Sequence, residues 1–306
     1  MNTNNSKLLN HALDGHNHRV AWADAVWDPV RGCSRKSAAC VNCYAETETA
    51  QNSQAGGWGE GFASVTPDGL KWTGKVELHE ERLTMPFGVD KPSRIFVNDF
   101  ADVFHEEMTD AAIDRIFAVM ASAPQHRYVI LTKRQKKMQA YMADPATAGR
   151  VAAAIAALAG QGSGRDGKVE SWPPPHLWLG VTTENQKEAE RRVPTLLETP
   201  AAVRFVAAEP LLSAVALKPE WLPHPGASGP TIDWVMGGGE SGPNARPIQL
   251  DWVRALRDQC ARTGTPFYWN DWGAATPDGQ AAGDATPDAA NRYVDGALHE
   301  AFPAGA

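Results

Sequence analysis

The chain has 306 residues, 43% of them hydrophobic, with 36 acidic against 29 basic side chains and a formal net charge of −7. That length allows one large α/β domain or two ordinary ones, with apolar residues enough for a sizeable core. The negative balance excludes coating of nucleic acid by bulk charge, though not a local basic groove, and the lack of any long apolar run excludes a transmembrane helix.

The N-terminal stretch Met1 to Val20 has no apolar h-region, so no secretory signal is read there and the cytoplasm is the expected compartment. A first short strand is predicted at "RVAWADAVW". Directly after it, "RGCSRKSAACVNCYAE" (Arg31 to Glu46) holds Cys33, Cys40 and Cys43, three of the four cysteines. Disulfides rarely persist in the cytoplasm, so clustered cysteines there signal metal or redox chemistry. The spacing is Cys33, six residues, Cys40, two residues, Cys43. Structural zinc takes four protein ligands, and a complete [4Fe–4S] site takes four cysteines. The local count stops at three. Spacing alone leaves two readings: a zinc with Cys260 or His105 as fourth ligand, or a [4Fe–4S] cluster with one iron open to a small molecule. Cys260 lies on a predicted helix and reads as a small buried hydrophobe.

Residues 54–80 form a Gly-rich excursion with a short hairpin expected in "LKWTGKVEL", placed to act as a lid. Six apolar runs follow, each closing on polar residues: "RIFVNDF", "RYVILTKR", "LWLGVTTEN", "VRFVAAEPLL", "DWVMGGGESG" and "PFYWNDWG". Between them "TDAAIDRIFAVMASAP", "ATAGRVAAAIAALAG" and "LDWVRALRDQCARTG" carry helical composition or spacing. "GQGSGRDGKVESWPPP" reads as a surface connection. Buried strands alternating with helices predict a parallel sheet, in a full or partial (β/α) barrel or an open doubly wound sheet. One domain is expected over 1–273, with a C-terminal tail, 274–306, packing on it.

Either architecture puts a ligand at the carboxyl ends of the strands. The residues there are Asn98, Asp99 and Asp102; Lys133 and Arg134; Thr183, Glu184 and Asn185; Glu209; and Gly237 to Ser241. Glycines in "GGGE" let the backbone approach a ligand closely, and Glu240 is placed to accept from an ammonium; an ordinary tight turn is the plain alternative. Lys133 and Arg134 suit a carboxylate or phosphate, and "TKRQKK" is a small basic patch for phosphates. Trp58, Trp269 and Trp272 are candidates to stack on a base.

"WDPVRGCSRKSAACVNCYAE", "RIFVNDFADVFHEEM", "YVILTKR", "LWLGVTTENQKEAERRVPTLL", "RFVAAEPLL", "WVMGGGESGPNARP", "TPFYWNDWG" and "YVDGALHEAFP" together resemble the phage- and bacteria-borne three-cysteine family of radical-SAM-like proteins of formerly unknown function (DUF5131 type). The resemblance spans most of the chain and implies a radical S-adenosyl-L-methionine barrel with an unusually spaced cluster motif. It departs from the family at Asn98, where Ser is common, and at Asn270–Asp271, where Lys–Gln is common. The implied cofactors are a [4Fe–4S] cluster on Cys33, Cys40 and Cys43, and S-adenosyl-L-methionine near Gly238, Gly239, Glu240, Ser241, Lys133, Arg134, Glu184 and Asn185. Asp99, Asp102, His105 and Glu209 are the expected substrate or proton-transfer groups. The implied reaction rearranges or modifies a nucleotide or hypermodified DNA base, as an isomerase or mutase, with electrons from a flavodoxin- or ferredoxin-like donor and no membrane partner. The alternatives are a zinc- or cluster-stabilised nucleic-acid-binding module without catalysis, and a barrel hydrolase using the carboxylates.

Overall fold

The computed structural model of the chain describes residues 11–12, 20–67, 69–159, 169–275 and 292–304. Its main sheet has eight strands: β1 (His11–Ala12), β2 (Ala25–Trp27), β3 (Arg94–Val97), β4 (Arg127–Thr132), β5 (Leu177–Thr182), β6 (Val203–Ala208), β7 (Trp234–Gly237) and β8 (Phe267–Trp269). Their spatial order is their chain order, and every pairing is parallel. A doubly wound sheet reverses its strand order at a switch point; this one never does. It winds one way, as a barrel does, but β1 and β8 do not pair, so the barrel is partial. All seven strands expected from the apolar runs form.

Side chains alternate across each strand. One set, Val26, Phe96, Val129, Trp178, Phe205, Trp234 and Tyr268, meets in an inner cluster. The other set, including Trp27, Ile95, Tyr128, Leu179, Val206, Val235 and Trp269, packs outward with the helices. Those helices are α1 (Tyr44–Gln51), α2 (Glu80–Leu83), α3 (Asp110–Ser122), α4 (Gln135–Ala143), α5 (Thr147–Leu158), α6 (Gln186–Glu198) and α7 (Leu250–Thr263). Helix α3 starts where Thr109 Oγ1 accepts from the Ala112 N–H at 3.2 Å. Helix α7 stops at Gly264, whose φ of +69° suits a residue without a side chain.

The inner cluster is aromatic. Trp234 sits among Trp22, Trp178 and Phe302, with ring centroids 6.0, 5.7 and 5.4 Å away. The interior is thus packed, as in a closed barrel, and is not a pore. Phe302 belongs to the C-terminal segment, which adds to the free edge of β8: Trp269 N–H donates to His299 at 2.8 Å, and Ala301 N–H to Phe267 at 3.1 Å. Within the described residues 292–304, His299, Ala301 and Phe302 pack on this edge of the barrel.

The hairpin in the excursion differs from expectation. Ala63–Thr66 pairs antiparallel with Gly69–Trp72, while Glu77–Leu78 pairs with Val30–Arg31. The pairing closes at Thr66 and Gly69, which takes a φ of +104°, and not at "TGK". Two chemically similar turn signals competed, and the segment after the second is held by the strand that leads into the cysteines.

Candidate active site at the strand carboxyl ends

Above the aromatic cluster, the inward register changes from apolar to polar within two residues on most strands. Val26 is followed by Asp28, Phe96 by Asn98, Leu131 by Lys133, Ala207 by Glu209 and Tyr268 by Asn270. Asp28 Oδ1 accepts from Asn98 Nδ2 at 2.8 Å, and Asn98 Oδ1 accepts from the Val30 N–H at 2.9 Å. These bonds tie the ends of β2 and β3 together beneath the cysteine loop.

That loop turns at Gly32, with φ +86°; a Cβ there would stand 2.0 Å from the Lys75 carbonyl oxygen. Cys33 and Cys43 are half-buried, Cys40 is buried, and all three are free thiols. Burial pushes Cys33 up to about 12; Arg134 opposes this, while Asp102, Cys43 and Cys40 add to it. Burial also raises Cys43, against the pull of Lys133. The three sulfurs therefore share one electrostatic neighbourhood. Among the described residues no three His, Cys, Asp or Glu side chains converge tightly enough for one metal ion.

Donors point at the sulfurs. Arg134 Nη1 lies 3.8 Å from Cys33 Sγ, and the Lys36 N–H lies 3.4 Å from Cys40 Sγ. A cationic and amide surround of this kind suits an anionic thiolate-held cluster.

Arg134 is more than a neighbour. Its buried guanidinium donates to Asp102 at 3.1 Å, Glu106 at 2.7 Å, and the Ser34 carbonyl and hydroxyl at 2.9 Å each. Asp102 also accepts from Thr132 Oγ1 at 2.7 Å and from the Lys133 N–H at 3.1 Å. His105 Nδ1 accepts from the Glu107 N–H, so Nε2 carries the proton and donates to Ser34 Oγ at 2.7 Å. Burial, helped by Arg134, lowers the His105 pKa and keeps the ring neutral. Asp102, His105 and Arg134 are thus spent on holding the Cys33–Ser34 turn.

Glu240 is committed as well. It accepts from Asn42 Nδ2 at 3.0 Å and from Arg246 Nε and backbone N–H at 2.9 Å each, with Arg246 Nη2 on its other oxygen. Burial pushes this carboxyl up, but Arg246 and Asn42 outweigh it and hold it below the usual range. Glu240 therefore clasps the glycine loop to the cysteine loop. The glycines have packing reasons: a Cβ on Gly238 would stand 2.8 Å from the Glu209 carboxyl, and one on Gly239 2.0 Å from the Trp272 carbonyl. Ser241 is exposed. Glu184 is fully buried and bonds Arg192 Nη1 at 2.8 Å, although its Oε1 finds no partner. Asn185 caps α6, accepting from the Glu188 N–H at 3.0 Å.

What faces the mouth is a smaller set: Cys43, Tyr44, Asp99, Lys133, Glu209 and Asn270. Tyr44, the first residue of α1, donates its hydroxyl to Asp99. The Tyr44 ring is 40% exposed; packing around its hydroxyl, and then the Asp99 carboxylate that accepts from it, raise its pKa above the usual value. Burial, with Asp271 and Asp99 adding and Lys133 subtracting, pushes Glu209 up to about 8. Its carboxylate oxygen accepts from Asn270 Nδ2 at 2.8 Å. Trp58 lines the cysteine side, with Arg31 4.5 Å over its ring and Phe100 at 5.2 Å. Trp269 and Trp272 lie in the outward core and are not available to stack on a base. Cys260 is buried in that same core on α7. Tyr44 and Asn42 were missed in the sequence reading; their flanking of Cys43 was the available signal.

The excursion reaches this site through Glu46 of α1, which accepts from the Trp72 N–H at 2.8 Å and pairs with Arg35 at 2.6 Å. No helix among the described residues is long and apolar enough to cross a membrane. A family model described as "Protein of unknown function (DUF5131)" matches residues 17–303. No curated protein and no solved structure matches the chain.

Proposed function

The chain belongs to the DUF5131 family, and for this member we propose an iron–sulfur, S-adenosylmethionine-dependent radical enzyme that modifies or rearranges a nucleotide or modified base. One observation carries the reading: three free thiols close the loop after β2 at the carboxyl ends of a partial parallel barrel, with N–H donors aimed at two of them. Cys33, Cys40 and Cys43 would hold three irons and leave a fourth for the small molecule. When bound, the cluster and S-adenosylmethionine together supply a carbon-centred radical able to take hydrogen from an unactivated carbon. Arg134, Asp102 and His105 fix the Cys33 turn. The Glu240–Arg246–Asn42 clasp fixes the Cys43 end. Tyr44, Asp99 and Glu209 line the mouth as groups able to hold or move a proton beside the substrate, with Lys133 among them. The packed aromatic interior excludes water from below.

The test is anaerobic reconstitution with iron and sulfide, followed by reduction with S-adenosylmethionine and assay for 5′-deoxyadenosine. About four irons per chain and formation of the nucleoside support the proposal. A colourless chain with one zinc supports a metal-stabilised binding module instead.

A further inference from the structure

Glu209 ends β6 and stands over Gly238, which has no side chain to displace it. The charged and titratable groups that act on it come from every side of the mouth: Asp271 after β8, Asp99 after β3 and Lys133 after β4, Tyr44 on α1 and Tyr268 below. Asn270 donates its Nδ2 to Glu209. Its Oδ1 has no hydrogen-bond partner, in a residue only 5% exposed. Thr182, in register with Ala207 two residues before Glu209, is fully buried, and its Oγ1 also lacks a partner. A buried acceptor left without a donor is costly, so the Asn270 amide oxygen, which can only accept, points to an occupant that brings donors.

We propose that the substrate presents a protonated primary amine to Glu209 and Asn270. An ammonium carries three donors and no acceptor, which matches a carboxylate beside an orphaned amide oxygen. An anionic group would meet Glu209, Asp99 and Asp271 together. Arg134, the guanidinium that sequence set beside Lys133, is turned away to Cys33 and gives such a group no bidentate partner. The raised titration of Glu209 fits the same picture, because a docked cation restores the ionised form.

This inference rests on the mouth being the substrate site, and not on the cluster. Full-length protein as purified, with iron counted in parallel, is titrated at pH 7 with benzylamine, benzyl alcohol and benzoate, in two buffers of different ionisation enthalpy. Benzylamine should bind at least about tenfold more tightly than the alcohol. Its binding should release a proton, as Glu209 ionises against the ammonium. Glu209→Gln should keep the fold by circular dichroism and lose both the preference and the proton release. Asn270→Ala should weaken the amine while keeping proton release. Benzoate binding as tightly as benzylamine, a preference that survives Glu209→Gln, or no binding of any of the three would overturn the proposal. Benzylamine selection by protein that takes up no iron on anaerobic reconstitution would sink the cluster reading and leave this one standing.

Discussion

Glu209 makes the residue-scale chemistry measurable without a substrate. Its carboxyl rises from an ordinary 4.5 to about 8 in the folded chain. Below the lower value both folded and unfolded chains hold the proton, and the group costs nothing. As pH climbs through the interval the unfolded chain releases its proton first, so stability falls. Above the upper value the full cost is present, at most roughly 5 kcal/mol. Glu209→Gln should therefore flatten the loss of stability between pH 4.5 and 8, measured by denaturant unfolding at several pH values; an unchanged slope would place the effect elsewhere. Cys260 makes the opposite kind of prediction. It is fully buried on α7 in the outward core, so Cys260→Ala should cost about 1 kcal/mol of stability and leave iron content intact. Alanine at Cys33, Cys40 or Cys43 should lower iron content instead. Loss of iron on replacing Cys260 alone would reverse the assignment.

At the scale of elements, the strand endings were legible because hydrophobic runs stop where the barrel interior stops. "RFVAAE" and "FYWND" each turn polar one step past the aromatic layer. Pointing direction was harder to see. Lys133 and Arg134 are adjacent after β4, yet Lys133 acts on Glu209 and Cys43 while Arg134, the residue that opens α4, bonds the Cys33 turn. The same limit hid the role of "GGGE", because nothing local announces that Arg246 and Asn42 will fill Glu240. Close approach in that loop is testable. Gly239→Ala meets the Trp272 backbone, which cannot yield, whereas Gly238→Ala meets the movable Glu209 carboxyl. The Gly239 variant should lose stability by roughly 2–4 kcal/mol, and the Gly238 variant should lose less while shifting the Glu209 titration. Arg134→Met leaves Asp102 buried without its cation, and should cost about 3–5 kcal/mol in chemical denaturation.

The whole molecule is an open barrel that must seal two free edges and a floor. The floor was not readable from periodicity, since Trp178, Trp234 and Tyr268 come from distant strands and Trp22 from the turn before β2, and any one of them alone is an ordinary core residue. Phe302 joins them from the C-terminal segment, 5.4 Å from Trp234 and 5.2 Å from Tyr268, with Arg94 stacked 3.9 Å over its ring. That segment also donates from Ala301 to the β8 edge, and Trp234 Nε1 donates back to the Ala301 carbonyl at 2.9 Å. One short stretch thus covers an exposed strand edge and plugs the interior. If both jobs depend on the ring, Phe302→Ala should cost about 2–3 kcal/mol, at the lower end for an aromatic truncation because Phe302 is only part-buried. It should also speed exchange of the Phe267 and Trp269 region amides that face the segment. Phe302→Leu should restore most of the edge protection but not the aromatic packing. Hydrogen exchange on the three proteins separates the outcomes. Fast exchange in the Ala variant alone supports a ring-anchored seal. Unchanged exchange with lowered stability would show that backbone pairing holds the edge without the ring.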